Sequence, residues 1–304
     1  MIKCLLILTL FFLELLLSSC NNTDINTPDS IIPLDEIITI PVVIHIINYS
    51  PDPFVISDAK IHSQIEVLNK DFRRLNPDVL NTPDEFQHLV ADVRIQFQLA
   101  TEDPNGNFTT GIIRTESTLI AADGYEDMGT VEERLLYFTN KGGQDAWPNA
   151  KYLNIWIADY SNHLGDLGLP GYANPPGSDA RIDGVVIDPR VFGILEPLVD
   201  GHEFGRTATH EIGHWLNLKH IFGKDRDCEI SDLVKDTPDQ YESILGNPTH
   251  PQFSCGSNDM FMNFMNYAND EAMYMFTIGQ KERMRALFNE GGDRRELYLN
   301  IKVN

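Results

Sequence analysis

The run His210-Glu211-Ile212-Gly213-His214-Trp215-Leu216-Asn217-Leu218-Lys219-His220 constrains this chain more than any other feature. Residues four apart on a helix face the same way, so His210 and His214 can offer ring nitrogens to one ion. A catalytic zinc ion takes three protein ligands and keeps an open position for water. His220 cannot be the third ligand on the same straight helix, because it would lie nearly three turns beyond His210. The chain must therefore turn sharply after His214 and bring His220 back. Such a turn needs a positive φ, for which Gly is the usual residue and Asn the best substitute. Position 217 is Asn. Glu211 follows the first His directly, so it points near the ion without binding it, as a general base for a zinc-activated water would. The competing reading is a helix with surface histidines. The five-residue pattern arises by accident in roughly one or two chains per hundred, and His220 at the required spacing lowers that about thirtyfold. His202-Glu203 fails the same test, since Arg206 stands four residues on.

The rest of the chain reads as α+β. Ile37 to Ile47 is a buried first strand. Asp58 to Asn76 carries a helical stripe of Ile61, Ile65, Leu68 and Phe72, with Ser57 or Asp58 as cap. Val93 to Leu99 alternates as a half-buried strand, and Asp103-Pro104-Asn105-Gly106 is a turn. Val131 to Asn140 is expected as a short helix closed by Gly142-Gly143. Tyr152 to Tyr160 and Val185 to Ile187 are strands, and the His-bearing helix is expected near 203–217. Thr277-Ile278-Gly279-Gln280 is a capping box that opens a helix through Met284, Leu287 and Phe288.

Both ends of the chemistry, location and partners, are narrowed by the remaining features. Lys3, the apolar run Cys4 to Leu17 and then Leu17-Ser18-Ser19-Cys20 suit an export signal (1–19), with Cys20 resembling a bacterial lipidation site. Plain secretion is the alternative, and Glu14 inside the apolar run weighs against both. Residues 20–36 read as a polar tether to a catalytic domain over 37–304, with an upper part 37–217 and a lower part 218–304. The formal net charge of −22 argues against nucleic acid as a partner. With Cys4 and Cys20 assigned to leader and anchor, Cys228 and Cys255 remain and read most simply as one disulfide.

The extended zinc motif with a downstream Met resembles the metzincins, and within them the pappalysin family. Ile40-Pro41-Val42-Val43-Ile44-His45 and Leu68-Asn69-Lys70-Asp71-Phe72-Arg73 are similar to that family's first strand and backing helix. Thr207 to His220, Asp232-Leu233-Val234-Lys235-Asp236-Thr237-Pro238 and Asn263-Phe264-Met265-Asn266-Tyr267 follow in the family's order. The resemblance implies a twisted mixed sheet with backing and active-site helices above, and a smaller irregular lower part with a C-terminal helix. It implies zinc-dependent cleavage of internal bonds in proteins or peptides, by a monomer. Met265 would be an apolar floor beneath the histidines, and Tyr267 would place its phenol to stabilise the oxyanion. Asp270 would lie at the base of the pocket for the residue after the scissile bond and select Arg or Lys. Asp232 and Thr237 would contribute to a calcium site. Tyr152 to Ile157 resembles the edge strand above the cleft, which binds extended substrate.

Two departures matter. A second family disulfide is replaced by Asn247 and Ala272, which predicts a looser loop over 240–252. The leader leaves room for only a short latency segment without Cys, in which Asp24, Asp29 or Asp35 would have to act. A zinc-retaining peptide-binding lipoprotein without turnover needs neither Glu211 nor Tyr267. A two-His, remote-Glu peptidase of another clan needs neither His220 nor Met265.

Overall fold

The computed structural model describes residues 31–49, 55–117, 130–159, 167–223, 226–229 and 232–303. The signal, Cys20, Asp24 and Asp29 lie outside the described residues. No described helix is long and apolar enough to cross a membrane.

A six-stranded sheet organises the chain. Strand β1 (Ile38–Tyr49) pairs in parallel with β2 (Ile95–Leu99) and then β3 (Ile112–Ser117) along one edge, and with β4 (Leu153–Ile157) along the other. Strand β6 (Gly184–Ile187) follows β4 in parallel, and the short antiparallel β5 (Gly171–Ala173) closes that edge. Alternate β1 residues Ile38, Ile40, Val42, Ile44 and Ile46 join the main core, while Val43 and Ile47 enter two smaller clusters on the opposite face. Cover on both faces is why β1 is a continuous apolar run rather than an alternating one.

Helix α1 (Asp58–Phe72) starts at Ser57, whose hydroxyl accepts from the Lys60 amide. It ends four residues earlier than expected. Arg74 takes φ 53°, and the amides of Arg74 and Leu75 return to the Asp71 and Lys70 carbonyls, a left-handed helix stop on a non-Gly residue. A short helix α2 (Asp84–Gln87) precedes β2. The helix expected over 131–140 is instead three 3-10 turns, Val131–Glu133, Leu135–Tyr137 and Thr139–Lys141. Between them Arg134 and Phe138 leave helical geometry, which lets Leu136 and Tyr137 bury against Trp156 on the sheet. The expected edge strand over 152–157 is also corrected: β4 lies between β1 and β6 with all five residues buried, and the exposed edge belongs to β5.

Helix α3 (Arg206–Trp215) carries the motif. Beyond it come the hairpin β7 (Phe253–Ser254) and β8 (Ser257–Asn258), then α4 (Ile278–Ala286) and α5 (Arg295–Val303). Thr277 and Gln280 form the capping box of α4. Helix α5 escaped the sequence reading. The Cys228 and Cys255 sulfurs are bonded to each other. One core holds Ile40 and Val42 of β1 together with Met265, Phe276 and Phe288, so the stretches before and after Asn217 share their interior. The end of the expected tether is docked. Ile32 is buried and its amide donates to Asn289, the Pro33 carbonyl accepts from Arg285, and Glu36 pairs with Lys302.

Where the second disulfide is missing, hydrogen bonds hold the loop. The Asn247 side chain donates to Glu271, the Asn269 amide to the Gly246 carbonyl, and the Ile244 amide to Asn266.

Candidate metal centre

The end of α3 explains how the third histidine returns. The Asn217 amide donates to the His214 carbonyl (2.8 Å) and the Leu218 amide to the Gly213 carbonyl (2.9 Å). That is the paired bonding of a left-handed helix stop, with Asn217 at φ 73°. Arg283 of α4 donates to the Asn217 carbonyl and side-chain oxygen (2.6 and 3.2 Å), fixing the turn from outside. Asn217→Ala is expected to cost about 1–2 kcal/mol of stability, because Ala gains nothing to offset the left-handed backbone. Asn217→Gly is expected to cost clearly less. Urea unfolding of both variants checks this, and equal losses would place the cost in the Arg283 contact instead.

The turn brings three ring nitrogens together. His210 Nε2, His214 Nε2 and His220 Nε2 are 3.0–3.1 Å from one another. The Nδ1–H of His210 donates to the Phe264 carbonyl (2.7 Å) and that of His214 to the Leu218 carbonyl (2.9 Å). Those bonds set the tautomer, so the Nε2 lone pairs face the common centre. Burial lowers the pKa of all three rings, and their proximity lowers His210 and His220 further, His220 to about 3. With two Nε2 lone pairs set toward the common centre and the third Nε2 3.0–3.1 Å from both, a cation is what such a donor set fits. Tetrahedral zinc with about 2.0–2.1 Å bonds to nitrogen requires similar spacings. Among the described residues this is the one His/Cys/Asp/Glu cluster able to hold a metal ion.

The floor of the site is tightly built. Met265 is fully buried, and a Cβ on Gly213 would come within 2.5 Å of its sulfur, so only Gly lets α3 settle on Met265. The Met265 amide donates to Asn263, whose side-chain amide pairs both ways with Gln280 of the α4 cap. Glu211 is buried beside the edge strand, where a Cβ on Gly171 would lie 3.1 Å from Glu211 Cγ. No described group hydrogen-bonds its carboxylate, and burial pushes it up to about 8. A dication nearby acts the opposite way.

Tyr267 lies over the histidines, its ring 5.5 Å from His210 and 4.7 Å from His220. Asp270 is placed elsewhere, at the start of α3. Its Oδ2 accepts from the Phe204 and Arg206 amides (3.0 Å each), and its carbonyl accepts from the Arg206 guanidinium. Burial raises its carboxyl, against those amides, His202 and Arg206. Beside it a cleft of about 420 Å³ is lined by Asp200, Glu203, Phe204, Asn247, Asn269 and Glu271. The expected calcium ligands bond to each other: Thr237 Oγ1 donates to Asp232 Oδ2 (2.8 Å), while Asp232 Oδ1 accepts from the Val234 amide.

Sequence reasoning missed Phe222, which stacks on His220, the Phe264 and Leu218 carbonyls, and the Gly171 edge. The Gly213–Met265 contact was missed as well, although a Gly between the first two histidines is a readable signal of close approach.

A family model described as pregnancy-associated plasma protein-A matches residues 139–289. Extracellular metalloproteases are similar. That of Uncinocarpus reesii is 32% identical over 247 residues, 79% of this chain and 72% of its own length. That of Arthroderma benhamiae is 29% identical over 249 residues, covering 81% and 76%. Mature mirolysin of Tannerella forsythia, solved with a cleaved peptide, superposes with a TM-score of 0.79 at 40% identity, over 88% of this chain and 98% of that one. Mirolysin with a bound compound gives 0.78 and 42%, with the same coverage.

Proposed function

Since this chain belongs to the pappalysin family of metzincin metalloendopeptidases, we propose that His210, His214 and His220 hold its catalytic zinc and that Glu211 is the general base. The observation that carries the reading is the 3.0–3.1 Å triangle of Nε2 atoms, with the tautomers of His210 and His214 set by carbonyls. When bound, the zinc supplies Lewis acidity to the attacking water and the scissile carbonyl. Glu211 draws a proton from that water and passes it to the leaving amine. Tyr267 donates its phenolic hydrogen to the developing oxyanion. The edge strand β5 offers backbone groups to an extended peptide. Elemental analysis tests the ligand set: one zinc per chain, lost in His220→Ala. A chain without stoichiometric zinc that still cleaves casein would sink it.

The acid-rich cleft beside Asp270 supports a preference for Arg or Lys after the scissile bond. Asp270→Asn keeps the helix cap and is expected to lower the preference for Arg over Leu there about tenfold or more. Cleavage-site mapping with a peptide library decides it, and wild-type cuts without basic enrichment remove the claim.

Export follows from the leader and agrees with relatives that are extracellular. Lipidation at Cys20 is checked by palmitate labelling, which must vanish in Cys20→Ser. A calcium ion at Asp232 and Thr237 would have to displace the bond between them, so calorimetric titration without heat ends that assignment.

A further inference from the structure

His220 differs from its two partner histidines in how its ring is oriented. No described group hydrogen-bonds to its Nδ1, whereas the other two rings are each tied to a carbonyl. What His220 has instead is Phe222. Their rings are nearly parallel, 9° apart, with centroids 4.7 Å from each other. The same Phe222 ring meets Tyr267 edge-on at 4.9 Å, and Tyr267 meets His220 at 4.7 Å. The three rings therefore close a triangle of mutual contacts, with Tyr267 46% exposed on its outer side.

The backbone beneath them is joined as well. Phe222 bridges to Gln240, and the Gly223 amide donates to the Gln240 carbonyl (2.8 Å). Gln240 accepts from the Asn266 side-chain amide (3.1 Å), and Asn266 in turn accepts from the Tyr267 amide (2.8 Å). The Ile221 amide reaches the Met265 carbonyl (3.4 Å). The segments 220–223 and 265–267 thus form one unit, within which the Phe222 ring touches both His220 and Tyr267, while His210 of α3 meets the same two rings at 5.1 and 5.5 Å.

We propose that Phe222 is a positioning residue, orienting His220 as a metal ligand in place of a hydrogen bond to Nδ1 and holding the Tyr267 ring at its working angle. The second half rests on the reading of Tyr267 as the oxyanion partner, while the first half does not. Ring stacking and edge contacts are modest individually, but they act here on groups whose angle sets ligation and hydrogen-bond geometry.

Two readouts on the intact chain test this. Zinc affinity, measured by chelator competition, is expected to fall about tenfold in Phe222→Leu and to stay within about twofold of wild type in Phe222→Tyr, which keeps the ring. Under saturating zinc, Phe222→Leu is expected to lower kcat about five- to tenfold with little change in KM. In a Tyr267→Phe background the same substitution should cost less than about twofold, because the group it positions no longer donates. Phe222→Met serves in both arms if the Leu variant does not fold. Unchanged zinc affinity in Phe222→Leu overturns the ligand half, and equal kcat losses in both backgrounds overturn the tyrosine half. If Tyr267→Phe alone is fully active, the oxyanion role falls and takes the tyrosine half with it, and zinc affinity still decides the ligand half.

Discussion

Glu211→Gln is expected to keep its zinc and to lose about 10³- to 10⁴-fold in kcat/KM on a peptide substrate. Gln fills the same volume beside Gly171, so the contact between α3 and the edge strand survives. What disappears is basicity. A positioned general base contributes about 10²- to 10⁴-fold, and here the same group also has to protonate the leaving amine, which places the loss in the upper part of that range. Each factor of ten is about 1.4 kcal/mol of transition-state stabilisation, so the whole effect is about 4–5.5 kcal/mol. The three histidines form their triangle without Glu211, so metal content is expected to stay near one per chain. His214→Ala makes the contrast, losing zinc and activity together. Steady-state kinetics alongside elemental analysis separates the two. A Gln variant with zinc bound and more than a tenth of wild-type activity would mean that the base lies elsewhere.

What the sequence revealed of this site is what short-range geometry can encode. His210 and His214 follow from helical period, and the return of His220 follows from an Asn able to take φ 73° at position 217. Both statements concern residues within eleven positions of each other. The carbonyls of Phe264 and Leu218, which fix two of the three rings, carry no side-chain signature at all. The edge strand went astray for a related reason. Residues 153–157 are strongly β-forming because they are buried on both faces, and that is the mark of a central strand rather than a rim. The true rim, Gly171–Ala173, is three residues long and contains Gly, so its strand state comes from pairing with β6 and not from propensity. The segment 131–141 had helical composition, but burial of Leu136 and Tyr137 against the sheet favoured broken turns over a continuous helix. The helix stop at Arg74 was invisible because a left-handed Arg carries no compositional cue.

Asp183→Ala is expected to destabilise the chain by about 3–5 kcal/mol. Asp183 stands just ahead of β6, and its carboxylate is shared by three groups far apart in the chain. Trp215 Nε1, one residue after the second histidine, donates to Oδ1 at 2.7 Å. Asn149 and the Arg294 guanidinium donate to Oδ2. Arg294 is itself buried, its guanidinium 3.9 Å from the centre of the Trp215 indole, with a further bond to the Trp215 carbonyl. The Asp–Arg pair therefore ties the last turn of α3 to the sheet and to the residue that leads into α5. Removing the carboxylate leaves a positive charge in the interior without its counter-charge, and the cost is mainly that orphaned charge rather than the lost attraction. For a domain of this size, 1 kcal/mol moves Tm by about 2–4 °C, so a fall of roughly 10 °C should be visible by calorimetry. Asp183→Asn keeps an acceptor for Trp215 and is expected to lose less. The decisive comparison is the double variant Asp183→Leu with Arg294→Met, which removes both charges and is expected to recover much of the stability lost by Asp183→Leu alone. If the double variant is as unstable as the sum of its parts, the two side chains contribute by packing independently and the pair does not fasten the end of α3.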